Sequence, residues 1–171
     1  MKYLLNTERL SLWPCQNEDL NSLHKLWTDA NVRRFLWDDR QISCEEAQSF
    51  IETSTANFTN YGYGIWLFSE NQNDLMIAGF AGLLNSSQEP PSLIFGTRPS
   101  LWGRGYAKEA ARAILDYAFD VLDLECVIAD VDEPNKASIK VLEALGMTRT
   151  RRALVNGRPL LYYEIHPHRH I

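Results

Sequence analysis

The sequence predicts a mixed α/β fold: a mostly antiparallel central sheet of about seven strands, carrying one β-α-β unit and about four helices. Three observations predict it. Apolar, β-prone runs recur as "GYGIWLFS", "LMIAGFAGLL" and "SLIFGTR", spaced as a three-strand meander. A strand, a glycine-containing turn, an alanine-rich helical pattern and another strand then follow over 92–131, which is a β-α-β crossover. Asn156-Gly157 between two strand-like runs is the strongest short hairpin signal in the chain.

The elements follow in order. "ERLSLW" (8–13) alternates polar and apolar residues and stops at Pro14, a first strand. Leu20, Leu23 and Trp27 fall at i, i+3 and i+7, so a helix over about 17–28 buries one face. Ser43 stands three residues before Glu46, the capping-box spacing. Ala47, Phe50, Ile51, Ser54 and Phe58 continue at helical spacing, predicting a second helix from 44 to about 59 that ends near Gly62. The meander comes next, its first turn being the polar "ENQNDL". Ala107, Ala110, Ala111, Ile114, Leu115 and Ala118 lie on one stripe of a third helix. "ECVIADV" reads as a buried strand of the kind found in parallel pairs. A fourth helix begins near Asn135, a suitable N-cap after Pro134, and ends at Gly146.

Bulk properties narrow the function classes. At 171 residues the chain fits one domain, 1–171, with a core that needs neither disulfides nor metal. No apolar run approaches the roughly 18 to 20 residues of a membrane span, and the N-terminus lacks a signal-peptide core, so a cytoplasmic protein with no membrane partner is expected. Cys15, Cys44 and Cys126 are odd in number and show no C-x-x-C spacing; they read as buried small hydrophobes. The terminal "HPHRH" alternates histidines in a way that could bind metal adventitiously, but it reads better as a frayed tail, and no metal is expected. A net charge of -5 argues against nucleic acid as a partner and suits cationic small molecules or basic peptides.

The chemistry concentrates in "PSLWGRGYAKEA" (99–110). Gly103 and Gly105 let backbone N–H groups face outward together, the helix behind them adds its positive dipole end, and Arg104 can contact a phosphate. No G-K-[ST] follows, and Lys108 stands where a dinucleotide fingerprint has its third glycine. These two departures leave a phosphate-bearing carrier.

Here the sequence resembles the GNAT superfamily of acyl-CoA-dependent N-acyltransferases, in particular its ribosomal-protein N-terminal acetyltransferase branch, the RimJ/RimL type. The resemblance rests on "TERLSLWP", "VRRFLW", "RPSLWGRGYAKEAARAILDYAF", "NKASIKVLEALGM" and "VNGRPLLYYEI", and spans nearly the whole chain. It implies a GNAT-like fold with a CoA-binding β-α-β core and acetyl-CoA as co-substrate. By the same resemblance, Thr97 and Arg98 correspond to the backbone that pairs with pantetheine. Trp102, Gly103, Arg104, Gly105, Tyr106 and Ala107 correspond to the pyrophosphate loop, Asn135 to the asparagine facing the pantetheine arm, and Ser138 to the position near the thioester sulfur, the one catalytic candidate.

The reaction implied is direct attack of an amine on the thioester in a ternary complex, with no protein nucleophile required. Ser92 stands where many members carry a glutamate base, and Leu142 where other branches carry a tyrosine acid. The base is therefore open, with Tyr162, Tyr163 and Glu164 as candidates. Phe35, Trp37, Asp38 and Asp39 form an aromatic and acidic cluster suited to a cationic acceptor, though a solvated acidic loop accounts for them as well. A protein N-terminal α-amine is the acceptor the branch implies. The alternatives are a small amine (an aminoglycoside, a polyamine or an amino-acid derivative) or a CoA-binding domain without catalysis. The sequence leaves room for a homodimer.

Overall fold

The computed structural model describes residues 2–36, 39–73, 76–86 and 88–168. Two N-terminal strands, β1 (Leu5–Asn6) and β2 (Leu10–Pro14), pair antiparallel. The first is too short to show alternation in the sequence and is an eighth strand beyond the seven expected. A 3-10 turn (Asn17–Asp19) leads into α1 (Leu20–Thr28), which buries Leu23, Leu26 and Trp27. A one-turn helix α2 (Ala30–Arg33) follows; the Asp29 side chain caps it by accepting from the N–H groups of Asn31 and Val32. The Ser43–Glu46 capping box forms and opens α3 (Cys44–Tyr61), with Gly62 as its left-handed C-cap.

Strands β3 (Ile65–Glu70), β4 (Gly79–Leu84) and β5 (Ser92–Thr97) make the meander. Helix α4 (Tyr106–Asp120), strand β6 (Val127–Asp132) and helix α5 (Lys136–Ala144) come next. The chain finishes as a hairpin of β7 (Thr148–Val155) and β8 (Arg158–Ile165), turning through Asn156 and Gly157 at φ 52° and 77°. The strands form one sheet in the order β1-β2-β3-β4-β5-β6-β8-β7.

All the pairings are antiparallel except β5 with β6, and that one decides the architecture. The two strands meet in parallel only at Ser92 and Ile128, where the Ile128 N–H donates to the Pro91 carbonyl. Beyond that contact they no longer pair, so their C-terminal ends at Thr97 and Asp132 open a fork in the sheet. Helix α4 starts just past one prong and α5 just past the other.

Each sheet face has its own apolar cluster. On one, Ala110, Ala111, Ile114 and Leu115 of α4 and Leu142 of α5 pack against Val127, Ala129 and Val131 of β6 and Leu161 and Tyr163 of β8. On the other, Leu23, Leu26 and Trp27 of α1 and Ala47 and Ile51 of α3 cover Ile65, Leu67 and Phe80. Fully burying an aliphatic side chain such as Ile51 contributes about 1.5–3 kcal/mol. The second cluster contains no residue of β6, β7 or β8 among those described, which leaves their face on that side without a helix.

Cysteine placement departs from expectation at one position. Cys15 is buried and Cys126 half-buried, but Cys44 is exposed. It occupies the first helical position of α3, ahead of the buried stripe that begins at Ala47, and its Sγ lies 3.5 Å from His24 Nδ1.

Candidate active site

The site begins at the end of β5. Arg98 N–H donates to the Ala78 carbonyl. Partners alternate along an antiparallel pair, so Thr97, one residue earlier, turns its N–H and C=O to the opposite edge, facing the fork. Of the two residues the sequence assigns there, Thr97 presents its peptide group to the gap, and Arg98 is anchored to β4 and through Nε to the Ile77 carbonyl at 2.9 Å. The Thr97 Oγ1 is buried with no hydrogen-bond partner among the described residues, and its carbonyl receives the Trp102 indole N–H at 2.7 Å. That bond folds the 99–105 loop back onto the strand end.

Within the loop, Gly103 and Gly105 sit at φ +80° and +79°, left-handed backbone that costs a side chain about 1–2 kcal/mol. Gly105 is the N-cap of α4 and offers no capping side chain, so the leading N–H groups of Tyr106 and Ala107 are left to an outside acceptor. Such a terminus accommodates an anion. Arg104 stands beside it, 3.6 Å from Glu70.

Sequence spacing could not reveal how this loop is held. Arg9, just before β2, donates through Nη1 to the Arg104 carbonyl at 2.9 Å and through Nε to Glu109 at 2.7 Å, and its guanidinium lies over the Tyr106 ring at 4.7 Å. Glu109 also accepts from the Thr7 hydroxyl and the Arg9 N–H. Burial works to raise the Glu109 pKa, but the hydrogen bonds from Thr7 and Arg9 outweigh it and hold the carboxyl below its usual range. Tyr106 is buried, and its hydroxyl donates to Glu70 at 2.6 Å. That bond, more than burial, raises the phenol's pKa.

The other prong of the fork leads to α5. Asn135 caps it, its side chain accepting the Ser138 N–H at 3.2 Å, and both residues are half-buried. Leu142 lies in the core. Ser92 sits at the closed end of the fork against Ile128.

The helix-free face of β6 carries Asp130 and Asp132, alternating with the buried Ala129 and Val131. They line a cavity of about 400 Å³ together with Val155, Asn156, Arg158 and Leu160. Solvent reaches the Asp130 carboxylate, yet its concave setting desolvates it, and Asp132 and Glu89 add negative charge; its pKa is raised. Asp130 is not among the site residues the sequence pattern singles out. The available signal was the alternation of carboxylates with apolar residues in "VIADVD", which marks one face of the strand as polar.

Other candidates lie elsewhere. Tyr163 is buried among the α4 and α5 contacts, with its hydroxyl 3.5 Å from Glu143. Tyr162 pairs with Asp130 across the strands, its ring covered by the Arg151 guanidinium at 3.8 Å. Glu164 pairs with Ile128 at the closed end of the fork. Phe35 is half-buried, with Arg34 over its ring at 5.0 Å, and Asp39 forms an ion pair with Arg33. Trp37 and Asp38 lie outside the described residues.

Known proteins share this fold. A family model described as an acetyltransferase (GNAT) domain matches residues 9–148. The Bacillus subtilis protein YkkB is 30% identical over 172 residues, covering 95% of each chain. The FsC-acetyl coenzyme A-N(2)-transacetylase of Aspergillus fumigatus is 31% identical over 84% of this chain and 64% of its own length. Among solved structures, RimL, a ribosomal L7/L12 alpha-N-protein acetyltransferase in complex with coenzyme A, superposes with a TM-score of 0.80 at 16% identity. The match covers 95% of this chain and 97% of that one, and shows a shared fold.

Proposed function

The chain belongs to the GNAT acetyltransferase family and is an acetyl-CoA-dependent N-acetyltransferase, and we propose that its acceptor is a small primary amine that enters as a cation at Asp130 and Asp132. The observation that carries this reading is the cavity on the helix-free face of β6, with its two carboxylates close to the fork. Its volume suits a compact ligand, and its two carboxylates, against the one Arg158 guanidinium in the lining, suit an ammonium group.

On the donor side, the resemblance and the geometry of the fork support the following roles. The N–H groups around Gly103, Gly105, Tyr106 and Ala107, with Arg104 beside them, would take the pyrophosphate, and Trp102 holds this loop against Thr97. Thr97, through its fork-facing peptide group and its unpartnered hydroxyl, would meet the pantetheine arm, with Arg98 anchoring the strand end and Asn135 opposite. Ser138, one turn into α5, would hydrogen-bond the sulfur. Acetyl-CoA supplies the activated acyl carbon; the chain's residues handle position and protons.

In the proton accounting, the acceptor arrives as R–NH3+ and gives one proton to the Asp130 carboxylate. The neutral amine forms the C–N bond as the C–S bond breaks. The departing thiolate is stabilised by the Ser138 hydroxyl, and the second proton released from nitrogen neutralises it. Asp130 would thus fill from β6 the role left vacant by Ser92 on β5. A raised pKa suits a carboxylate that must take a proton near neutral pH.

One structural feature favours a protein N-terminus as the second reading. Strand β7 is the sheet's outer edge beside the same cavity, and an extended peptide could pair with it. Assays of free thiol release from acetyl-CoA with small mono- and diamines, aminoglycosides, amino-acid amides and N-terminal peptides separate the two. The proposal expects turnover with small amines, and loss of that turnover in Asp130→Asn with acetyl-CoA binding intact. Turnover with peptides alone establishes the second reading instead.

A further inference from the structure

Among the described residues, the proposed mechanism leaves one cluster of ligating side chains unused, at the closed end of the fork. Register places Cys126, just ahead of β6, beside His166, just past β8, with Glu164 diagonal to it on the same face. Cys126 Sγ, a Glu164 carboxylate oxygen and a His166 ring nitrogen all lie within 4.8 Å of one another.

Hydrogen bonding at His166 orients this group. Its Nδ1 lies 3.0 Å from the Glu125 carbonyl, which can only accept, so Nδ1 carries the hydrogen. Nε2 then faces Glu164 Oε1 at 3.4 Å. In the neutral ring that nitrogen is a lone pair, and a lone pair opposite a carboxylate repels unless a cation, whether a proton or a metal ion, lies between them. An imidazole fixed by a backbone carbonyl on one nitrogen and free to ligate through the other is the usual arrangement of a metal-binding histidine. A thiolate and a carboxylate together balance the charge of a divalent cation, and mixed S, N and O donors select zinc over magnesium or calcium.

We infer that Cys126, Glu164 and His166 form a zinc-binding site that ties β6 to β8 beside the point where β5 and β6 meet. On binding, Zn²⁺ displaces the Cys126 thiol proton to solvent, accepts the Nε2 lone pair and one carboxylate oxygen, and keeps a water as fourth ligand. The site is separate from the acetyl transfer site, so its occupancy and the amine specificity stand or fall independently.

Cobalt(II) tests the site on untagged, chelator-stripped full-length protein, because a cobalt–thiolate bond gives a charge-transfer absorption and a tetrahedral site gives strong visible bands. One equivalent of cobalt should develop both, and zinc should bleach them. Cys126→Ser should abolish the charge-transfer band. His166→Ala, at an exposed position where folding is not at issue, should weaken zinc binding about tenfold or more, the least expected when even an outer-shell partner is lost. Cys44→Ser and a His168→Ala/His170→Ala double variant should change neither. Absence of a thiolate band, its persistence in Cys126→Ser, or binding that vanishes only in the tail variant overturns the inference.

Discussion

Replacing Arg9 by alanine tests whether the N-terminal strand positions the donor loop. The substitution removes the ion pair to Glu109, the hydrogen bond to the Arg104 carbonyl and the contact over Tyr106. The Arg9 side chain is 44% exposed, so its ion pair is screened and contributes about 0.2–1 kcal/mol. The hydrogen bond to the carbonyl adds about 0.5–1.5 kcal/mol, which makes the total about 1–2 kcal/mol. With an unfolding entropy of about 2.1 cal/mol/K per residue, 171 residues convert each 1 kcal/mol into about 3 °C, so Tm should fall by about 3–6 °C. The loop is expected to lose more than the fold does. Acetyl-CoA at about 100 times its Kd stabilises by about 2.7 kcal/mol, an upward shift of about 7–8 °C. If the displaced loop binds tenfold more weakly, the same ligand concentration gives Arg9→Ala a shift of only about 4 °C. Differential scanning fluorimetry with and without acetyl-CoA reads both effects, and steady-state kinetics should show KM for acetyl-CoA rising while KM for the amine stays put. An unchanged ligand-induced shift, or a rise confined to the amine's KM, would refute the positioning role.

Asp130→Asn should trade activity for stability. A carboxyl whose folded pKa is raised binds protons more tightly folded than unfolded, so it favours folding below its unfolded pKa and opposes it once pH passes the folded value. The variant should therefore melt higher at pH 7 while losing the acidic limb of the kcat/KM profile, checked by thermal melts and pH–rate curves. Glu109 has the opposite sign. Its lowered pKa stabilises the fold above the unfolded value near 4.5, and that contribution disappears as pH drops through the folded value, so Glu109→Gln should flatten the stability profile on the acid side in pH-dependent melts. Gly82→Ala should prevent folding at 37 °C, because its Cβ would fall on the Gly64 carbonyl and 2.8 Å from Ile65 Cα in mid-sheet; a soluble variant with wild-type circular dichroism and Tm would contradict this.

What the sequence discloses and what it hides divide along sequence separation. The Ser43–Glu46 box, the Asn135 cap, the Asn156-Gly157 turn and the left-handed glycines of the donor loop are governed by partners within about five residues, and each is present where spacing placed it. Strand β1 escapes because two residues cannot alternate visibly. The Arg9–Glu109 latch joins residues 100 apart, and neither residue type nor local period carries any trace of such a partner. The fork is the decisive case. From "SLIFGTR" and "ECVIADV" the sequence gives two adjacent parallel strands, but their parting after Ser92 and Ile128 depends on which neighbours each keeps: β5 holds β4 along its whole length, and β6 holds β8 along its whole length. Each half of the sheet is completed by its own antiparallel partner, so the seam between them is the pairing that can open. The helix-free face of β6 fronts the cavity, and for that reason Asp130 reads in the sequence as half of a strand's alternation and in the structure as a carboxylate lining that cavity.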